Sequence, residues 1–325
     1  MNKISICITY YNQKELIKDS LDSVLAIDFP CDYEILVGDD GSSDGTVEVV
    51  NEYKNKYPDK IKLFIMNRDE NSKSIDRASL NRLNLVYNAT GDFIMFLDGD
   101  DFYCDKEFVK DSLKVFENNK KIIACAFDFK MLFEDNKEER KQLYLKTGLI
   151  PVGKYIKIFY NHAGAFVFKN VFKYNKDKVN FLRGIDGIFD DNGITLYFLQ
   201  FGDLYYISRI IYSYRQNSNS LWNRYNLLEQ NIVNLLYLVP MLYACPKYRF
   251  HIIKRYFSNI IFVWKNKTDI TKIVSKYFYD NFCENAKKHN NYFLYSMLTW
   301  KKIKTIDKIK CFSKYFFYKI IERFI

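Results

Sequence analysis

"FIMFLDGDD", residues 93–101, drives an apolar, strand-like run into three aspartates and a glycine, with no basic residue among them. Asp98 and Asp100 are two apart, so in extended backbone they project the same way, and Gly99 between them lets another group approach the main chain. Converging carboxylates repel, and a hard divalent cation is the usual compensation, since Mg2+ and Mn2+ prefer oxygen ligands. A Mg2+ site with one or two carboxylates completes its shell with water and substrate phosphates, which points to a diphosphate-bearing substrate. The plain alternative is a polar turn capping the helix that follows. An EF-hand is excluded, because its fifth position counted from Asp98 is Phe102 and its twelfth counted from Asp40 is Asn51.

Phe93–Leu97 is one of five such runs, with Ile4–Ile8, Tyr33–Val37, Ile61–Met66 and Ile122–Phe127. Amphipathic stretches near Gln13–Leu25, Thr46–Lys56, Arg77–Asn88 and Lys106–Asn118 alternate with them. Continuous rather than alternating hydrophobicity means strands covered on both faces, hence a mostly parallel sheet in an α/β domain. The lysine-rich "FEDNKEERKQ", 133–142, reads as a solvated loop or hairpin tip.

The chain has 325 residues, 48% of them hydrophobic, enough to bury a large core. It has no apolar run of membrane-spanning length and no leader-like start, so a cytoplasmic location is expected. Seven cysteines without a CxxC pair predict free thiols rather than disulfides or zinc. The net charge of +10 resembles a nucleic-acid signal until it is divided along the chain. Residues 226–325 hold 18 Lys and Arg against 6 Asp and Glu, net +12, leaving 31 against 33 and net −2 for residues 1–225. The basicity belongs to the tail.

Two other strand ends carry polar groups where an open α/β sheet gathers its ligands. "EILVGDDGSSDGT", 34–46, places Asp39 and Asp40 before a Gly/Ser turn, where Ser42, Ser43 and Asp44 are also ordinary turn and helix-capping residues. "ITYYN", 8–12, brings Thr9 and Tyr11 beside that turn if the two strands are neighbours. An aromatic face plus a carboxylate acceptor suits a pyrimidine base.

Taken in order, "ISICITYYN", "EILVGDDGSSDGT" and "NATGDFIMFLDGDD" resemble the family 2 glycosyltransferases of GT-A fold. The resemblance continues in "FDDNGITLYFLQFGDLYYISRIIYSYRQNSNS", 189–220, and covers roughly residues 3–220. It implies a Rossmann-like, mostly parallel sheet flanked by helices over 1–225; charge and helical spacing, not the resemblance, make 226–325 a basic helical region. It also implies transfer of a sugar from a nucleotide diphosphate, UDP favoured, to a hydroxyl of a glycan or lipid-linked glycan, with inversion at the anomeric carbon. Carried over by position, Thr9, Tyr11 and Asp40, with Asp39 beside it, hold nucleobase and ribose. Arg77 or Arg82 approaches the diphosphate or the base. Asp98 faces ribose and metal, and Asp100 is the principal ligand of Mn2+ or Mg2+. Asp191 is the catalytic base, with Asp190 where glutamate is commoner and Asp186 as the fallback; either of the pair can equally cap the next helix. His162 of "YNHAGAFVFK" lies where a pocket-lining loop is expected. Arg215, with Ser218 or Ser220, meets the pyrophosphate, or Arg215 serves as an ordinary ion-pair partner.

A processive synthase is disfavoured, since "SLWNRY", 220–225, is not the Q-x-x-R-W motif and membrane spans are lacking. A sugar-nucleotide pyrophosphorylase would open with a Gly-rich basic loop, and "TYYNQKE" has no glycine. A non-enzymatic nucleic-acid-binding module would rest on the tail and leave the aspartates unexplained. In that tail Ile306, Ile309, Phe312, Phe316, Ile320 and Phe324 recur at helical spacing among lysines. Such a face covers the catalytic domain, a second subunit, or the anionic inner face of the plasma membrane.

Overall fold

The computed structural model describes residues 2–68, 74–141, 146–158, 162–185, 187–216 and 226–265. The chain divides into two compact units, residues 1–220 and 221–325.

In the first unit, β1 (Lys3–Tyr10) leads through a short 3-10 turn to α1 (Ile17–Leu25), and β2 (Asp32–Asp39) to α2 (Thr46–Lys56). β3 (Ile61–Ile65), α3 (Ser74–Asn88) and β4 (Phe93–Asp98) follow, then β5 (Phe102–Tyr103) and α4 (Phe108–Asn118). β6 (Ile122–Phe133) forms a hairpin with β7 (Glu138–Lys141), whose tip is residues 134–137 of the charged segment. β8 (Gly148–Ile150), α5 (Val152–Ile158), β9 (Phe166–Lys169), α6 (Lys176–Arg183), α7 (Asp191–Leu199) and β10 (Asp203–Gln216) complete the unit.

The sheet runs β3-β2-β1-β4-β9-β6-β10-β5. β1, β2, β3 and β4 are mutually parallel, and β6 is parallel to β10. β9 enters antiparallel between β4 and β6. The five apolar runs are strands: in β1, β2, β4 and β6 Ile4, Ile6, Ile8, Leu36, Val37, Ile94, Met95 and Phe127 are all fully buried, whereas β3, at the sheet edge, leaves Ile65 56% exposed. The order reverses between β1 and β4, because the chain leaves β3 and returns through α3 on the other side of β1. That switch point sets the carboxyl ends of β1 and β4 side by side, with Thr9 opposite Asp98 and Tyr10 opposite Asp39.

Aromatic packing ties the late elements to this frame. Phe96 of β4 meets Phe168 of β9, Phe189 and Phe198 of α7 edge-on, and Phe168 stacks on Phe198 with centroids 4.4 Å apart. Burial of each such ring contributes about 2–3 kcal/mol. Residues 193–199 are all buried, so α7 is apolar all round and its first turn is held in one place.

In the second unit, α8 (Leu227–Ala244) starts at a reciprocal cap: Asn226 Oδ1 accepts from the Leu228 and Glu229 amides, and the Glu229 carboxylate accepts from the Asn226 amide, all at 3.0 Å. α8 packs against α9 (Arg249–Lys265). Among the described residues, no helix is long and apolar enough to cross a membrane. The Ile306–Phe324 face lies outside the described residues.

Candidate active site

β1 and β2 end in a polar cluster whose members divide by register. Tyr10 turns inward, its hydroxyl on Ser20, while Tyr11 stays 41% exposed with the Arg68 guanidinium 4.1 Å from its ring centre. Asp40 is buried and has both oxygens engaged: Arg68 Nη1 donates at 2.9 Å, Arg77 Nε at 3.1 Å, and Arg77 Nη2 closes the pair. Arg77, itself buried, also donates to the Asn67 carbonyl at 3.0 Å, so it is locked on Asp40 instead of reaching for a ligand. Asp39 differs. Its Oδ2 accepts from the Gly41 and Ser42 amides at 3.0 and 2.8 Å, whereas its buried Oδ1 has no hydrogen-bond partner. A buried acceptor left open costs on the order of 1–3 kcal/mol. Of the two adjacent carboxylates, Asp39 is the one with an acceptor to offer.

The β4 end departs from its extended reading. The strand stops at Asp98, and Gly99 and Asp100 form a turn, so no strand pleat puts Asp98 and Asp100 on one face. Nor does Asp98 lack a basic partner, because Arg82 of α3 donates from Nη2 to its Oδ1 at 2.6 Å and Thr9 Oγ1 donates to the same oxygen at 3.3 Å. The space beside Gly99 belongs to the protein: a β-carbon there would fall inside the Tyr10 ring and against Gln13. Asp101, fully buried, accepts from the Tyr212 hydroxyl and from the Arg215 amide at 2.8 Å, a structural tie between the turn and β10.

Asp100 remains. Its carboxylate is held by its own amide, and burial, then the Asp98 charge, push it up to about 6, with that amide, Arg215 and Arg82 pulling the other way. A carboxylate half-starved of positive charge beside a second one is a donor set that a hard cation fits. Among the described residues, no group of three or more His, Cys, Asp and Glu side chains is arranged to hold a metal, so protein ligands at this turn number at most these two.

The two aspartates before α7 separate cleanly. Asp190 is the N-cap, its Oδ1 accepting from the Gly193 amide at 2.6 Å, and burial raises it to about 7 despite that bond. Gly193 is required, since a β-carbon there would collide with the Ile188 carbonyl. Asp191 begins the helix and faces the cleft. Its Oδ1 accepts from the Ala163 amide at 3.2 Å and lies 3.9 Å from Arg82 Nη2, while His162 Nδ1 sits 3.6 Å from its Oδ2. Burial alone would raise Asp191, but His162, Arg82 and the Ala163 amide outweigh it and hold the carboxyl down at about 2. The His162 ring is itself held by Tyr214, with centroids 3.9 Å apart, and by the edge of Phe129.

The fold thus brings together Thr9, Tyr11, Asp39, Asp40, Arg82, Asp98, Asp100, Asp191 and His162 at one end of the sheet. Arg215 pairs through Nη2 with Asp19 and lies over the Phe102 ring at 4.9 Å, the ordinary ion-pair alternative. Asp186, Ser218 and Ser220 lie outside the described residues. Sequence reading missed Arg68, which follows β3 without a motif, and Asn81, whose amide reaches the Gly38 carbonyl at 3.0 Å.

The chain is similar to known proteins. The uncharacterized glycosyltransferase YfnE of Bacillus subtilis is 28% identical over 154 residues, 46% of this chain and 37% of that protein. The poly(ribitol-phosphate) beta-glucosyltransferase of Bacillus spizizenii is 37% identical over 101 residues, 31% of this chain and 15% of that protein. The chain therefore spans well under two thirds of the length of either. The S. aureus TarS 1-349 crystal structure with UDP-GlcNAc shares the fold, with a TM-score of 0.63 at 17% identity, covering 95% of this chain and 89% of that one. Residues 5–174, just over half of the chain, match Glycosyl transferase family 2, and the protein belongs to that family.

Proposed function

We propose that the protein is a metal-dependent, inverting glycosyltransferase that moves a sugar from a UDP-sugar to a hydroxyl of a glycan acceptor in bacterial surface-polymer synthesis. The observation that carries this reading is Arg82: its Nη2 lies near both Asp98 at the β4 end and Asp191 at the start of α7, which brings a donor-side carboxylate and a candidate base to one place.

On the donor side, the open Oδ1 of Asp39 accepts from N3–H of uracil, and Tyr11, oriented by Arg68, offers its ring to the base. Asp98 and Asp100 are the residues that would hold Mn2+ or Mg2+, which supplies neutralising charge for the diphosphate. Arg82 stays charged at any relevant pH, kept so by Asp98 and Asp191 in spite of its burial. On the acceptor side, Asp191 stays ionised and takes the hydroxyl proton as the acceptor oxygen bonds to the anomeric carbon. The carbon–phosphate-oxygen bond breaks on the far face, and its electron pair leaves with the diphosphate.

The relatives support the substrate class: one is named for transfer to poly(ribitol-phosphate), and the TarS structure carries UDP-GlcNAc. The tail of net +12 is assigned to an anionic membrane surface, where each Lys or Arg near the headgroups adds roughly 1 kcal/mol. Thermal shift with UDP and UDP-sugars, with and without Mn2+, followed by NMR of the product's anomeric configuration, tests the reading. Stabilisation by UDP, loss of turnover in EDTA or in Asp100→Asn, and inversion are expected. Retention, or full activity in EDTA, overturns it.

A further inference from the structure

The first unit exposes a second feature that the transfer reaction does not use. Leu80 and Tyr87, seven residues apart on α3, join Tyr174, Phe181 of α6 and Phe201 at the end of α7 as exposed large hydrophobic side chains. Tyr174 is 89% and Phe181 53% exposed, so these rings are not the edge of the core. α3 packs against α6, which makes them one face.

Cations are laid on these rings. Lys176 Nζ lies 5.5 Å and the Arg183 guanidinium 4.7 Å from the centre of Tyr87, Lys178 Nζ 4.4 Å from Phe201, and Lys173 Nζ 5.2 Å from Tyr174. Lys173 also pairs with Asp92. Among the described residues, Lys176, Lys178 and Arg183 form no ion pair; Lys176 donates to the Ala89 carbonyl and feels the Glu34 charge, and Arg183 reaches Asn84 Oδ1. Residues 173–183 hold four cations and one acid, Asp177, within a stretch of 225 residues whose net charge is −2. The surplus is local.

We propose that this α3–α6 face docks on anionic lipid headgroups. Amphipathic rings beside uncompensated Lys and Arg suit the water–lipid boundary, where the rings enter the apolar margin and the cations stay at the phosphates. A second copy of the chain is the weaker occupant, because a two-fold contact would set these cations against their own images. The proposal rests on the membrane part of the reading above and on no catalytic residue. α6 ends at Arg183, only seven residues before Asp190 in the chain.

The test is co-sedimentation of the full-length protein with vesicles of phosphatidylcholine alone or mixed with phosphatidylglycerol. The variants are K178E/R183E and F181S/F201S, whose UDP-induced thermal shift should match the parent and so report an intact fold. The parent should sediment only with the anionic vesicles, and each double variant should bind at least about ten-fold more weakly. Parental binding by both variants overturns the face and leaves the tail as the contact. A parent that ignores both vesicles overturns the face and the membrane reading together, while leaving sugar transfer untouched. A dimer broken by these substitutions, without vesicle binding, assigns the face to a second copy instead.

Discussion

Arg82 on α3 holds Asp98 at 2.6 Å, joining the middle of a helix to the last residue of a strand at the sheet's switch point. Its guanidinium is nearly buried, so removing it takes the charge from beside two partly exposed carboxylates, Asp98 and Asp191. Arg82→Met should lower kcat/KM by about 10²–10³-fold. Arg82→Lys keeps the charge but loses the planar fork and should recover only part of that loss. Initial rates across donor concentration decide the matter; a Met variant with parental rates removes Arg82 from the site.

Asp39→Asn should weaken UDP binding by roughly ten- to a hundred-fold. The Gly41 and Ser42 amides keep the side-chain oxygen of the new residue, so its amide nitrogen takes the position of the open Oδ1 and meets uracil N3–H donor to donor. Calorimetric titration with UDP measures it. Asp40→Asn, by contrast, should act through stability, because that carboxylate answers to Arg68 and Arg77.

Asp191→Asn should cut kcat steeply while donor affinity stays close to the parent's. His162→Gln removes the group beside Asp191 Oδ2 and should lower kcat by a smaller factor, again with donor affinity kept. Loss of UDP binding in step with kcat would instead make Asp191 a structural residue.

How much of this was legible before the structure depended on whether a property is local. The strands announced themselves because burial on both faces leaves an unbroken apolar run, and Thr46–Lys56 matches α2 residue for residue. β9 went unseen since "FVFK" is only four residues long and pairs antiparallel. The carboxylates of the site were visible as motifs at strand ends. Their counter-ions were not: Arg68, Arg77 and Arg82 come from elsewhere in the chain, and no spacing rule says which aspartate each will neutralise. That is why the pairing of Asp40 with Arg68 and Arg77 could not be foreseen, and why Gly99, flanked by aspartates, proved to be packing space for Tyr10.

Glu34 of β2 accepts from Ser5 Oγ and the Thr90 amide at 2.8 Å and from Thr90 Oγ1 at 2.7 Å, and pairs with Lys62 at 2.9 Å. Burial pushes it up, but these donors prevail and hold it down at about 2. A free glutamate titrates near about 4.3, so the folded state gains from the ionised form above that pH and loses the gain as pH falls from there towards 2. Denaturant unfolding at stepped pH should show stability declining across that window. Glu34→Gln should flatten the decline and cost about 3 kcal/mol at neutral pH.

Gly99→Ala should lower the melting temperature with little change in net charge or composition. Its β-carbon displaces the Tyr10 ring from Ser20, an overpacking cost of about 1–3 kcal/mol. A variant that melts with the parent would place the Tyr10 ring elsewhere.

β4 meets β9 through only two residue pairs, Phe93 with Lys169 and Ile94 with Phe168. The residues proposed to hold the donor, Tyr11, Asp39, Asp98 and Asp100, lie no later in the chain than the turn that ends β4, and His162 and Asp191 come after that turn. The family match ends at residue 174, before α7 begins. The two sides of the proposed site are thus carried by different stretches of one compact unit, and only the earlier stretch lies wholly within the family match.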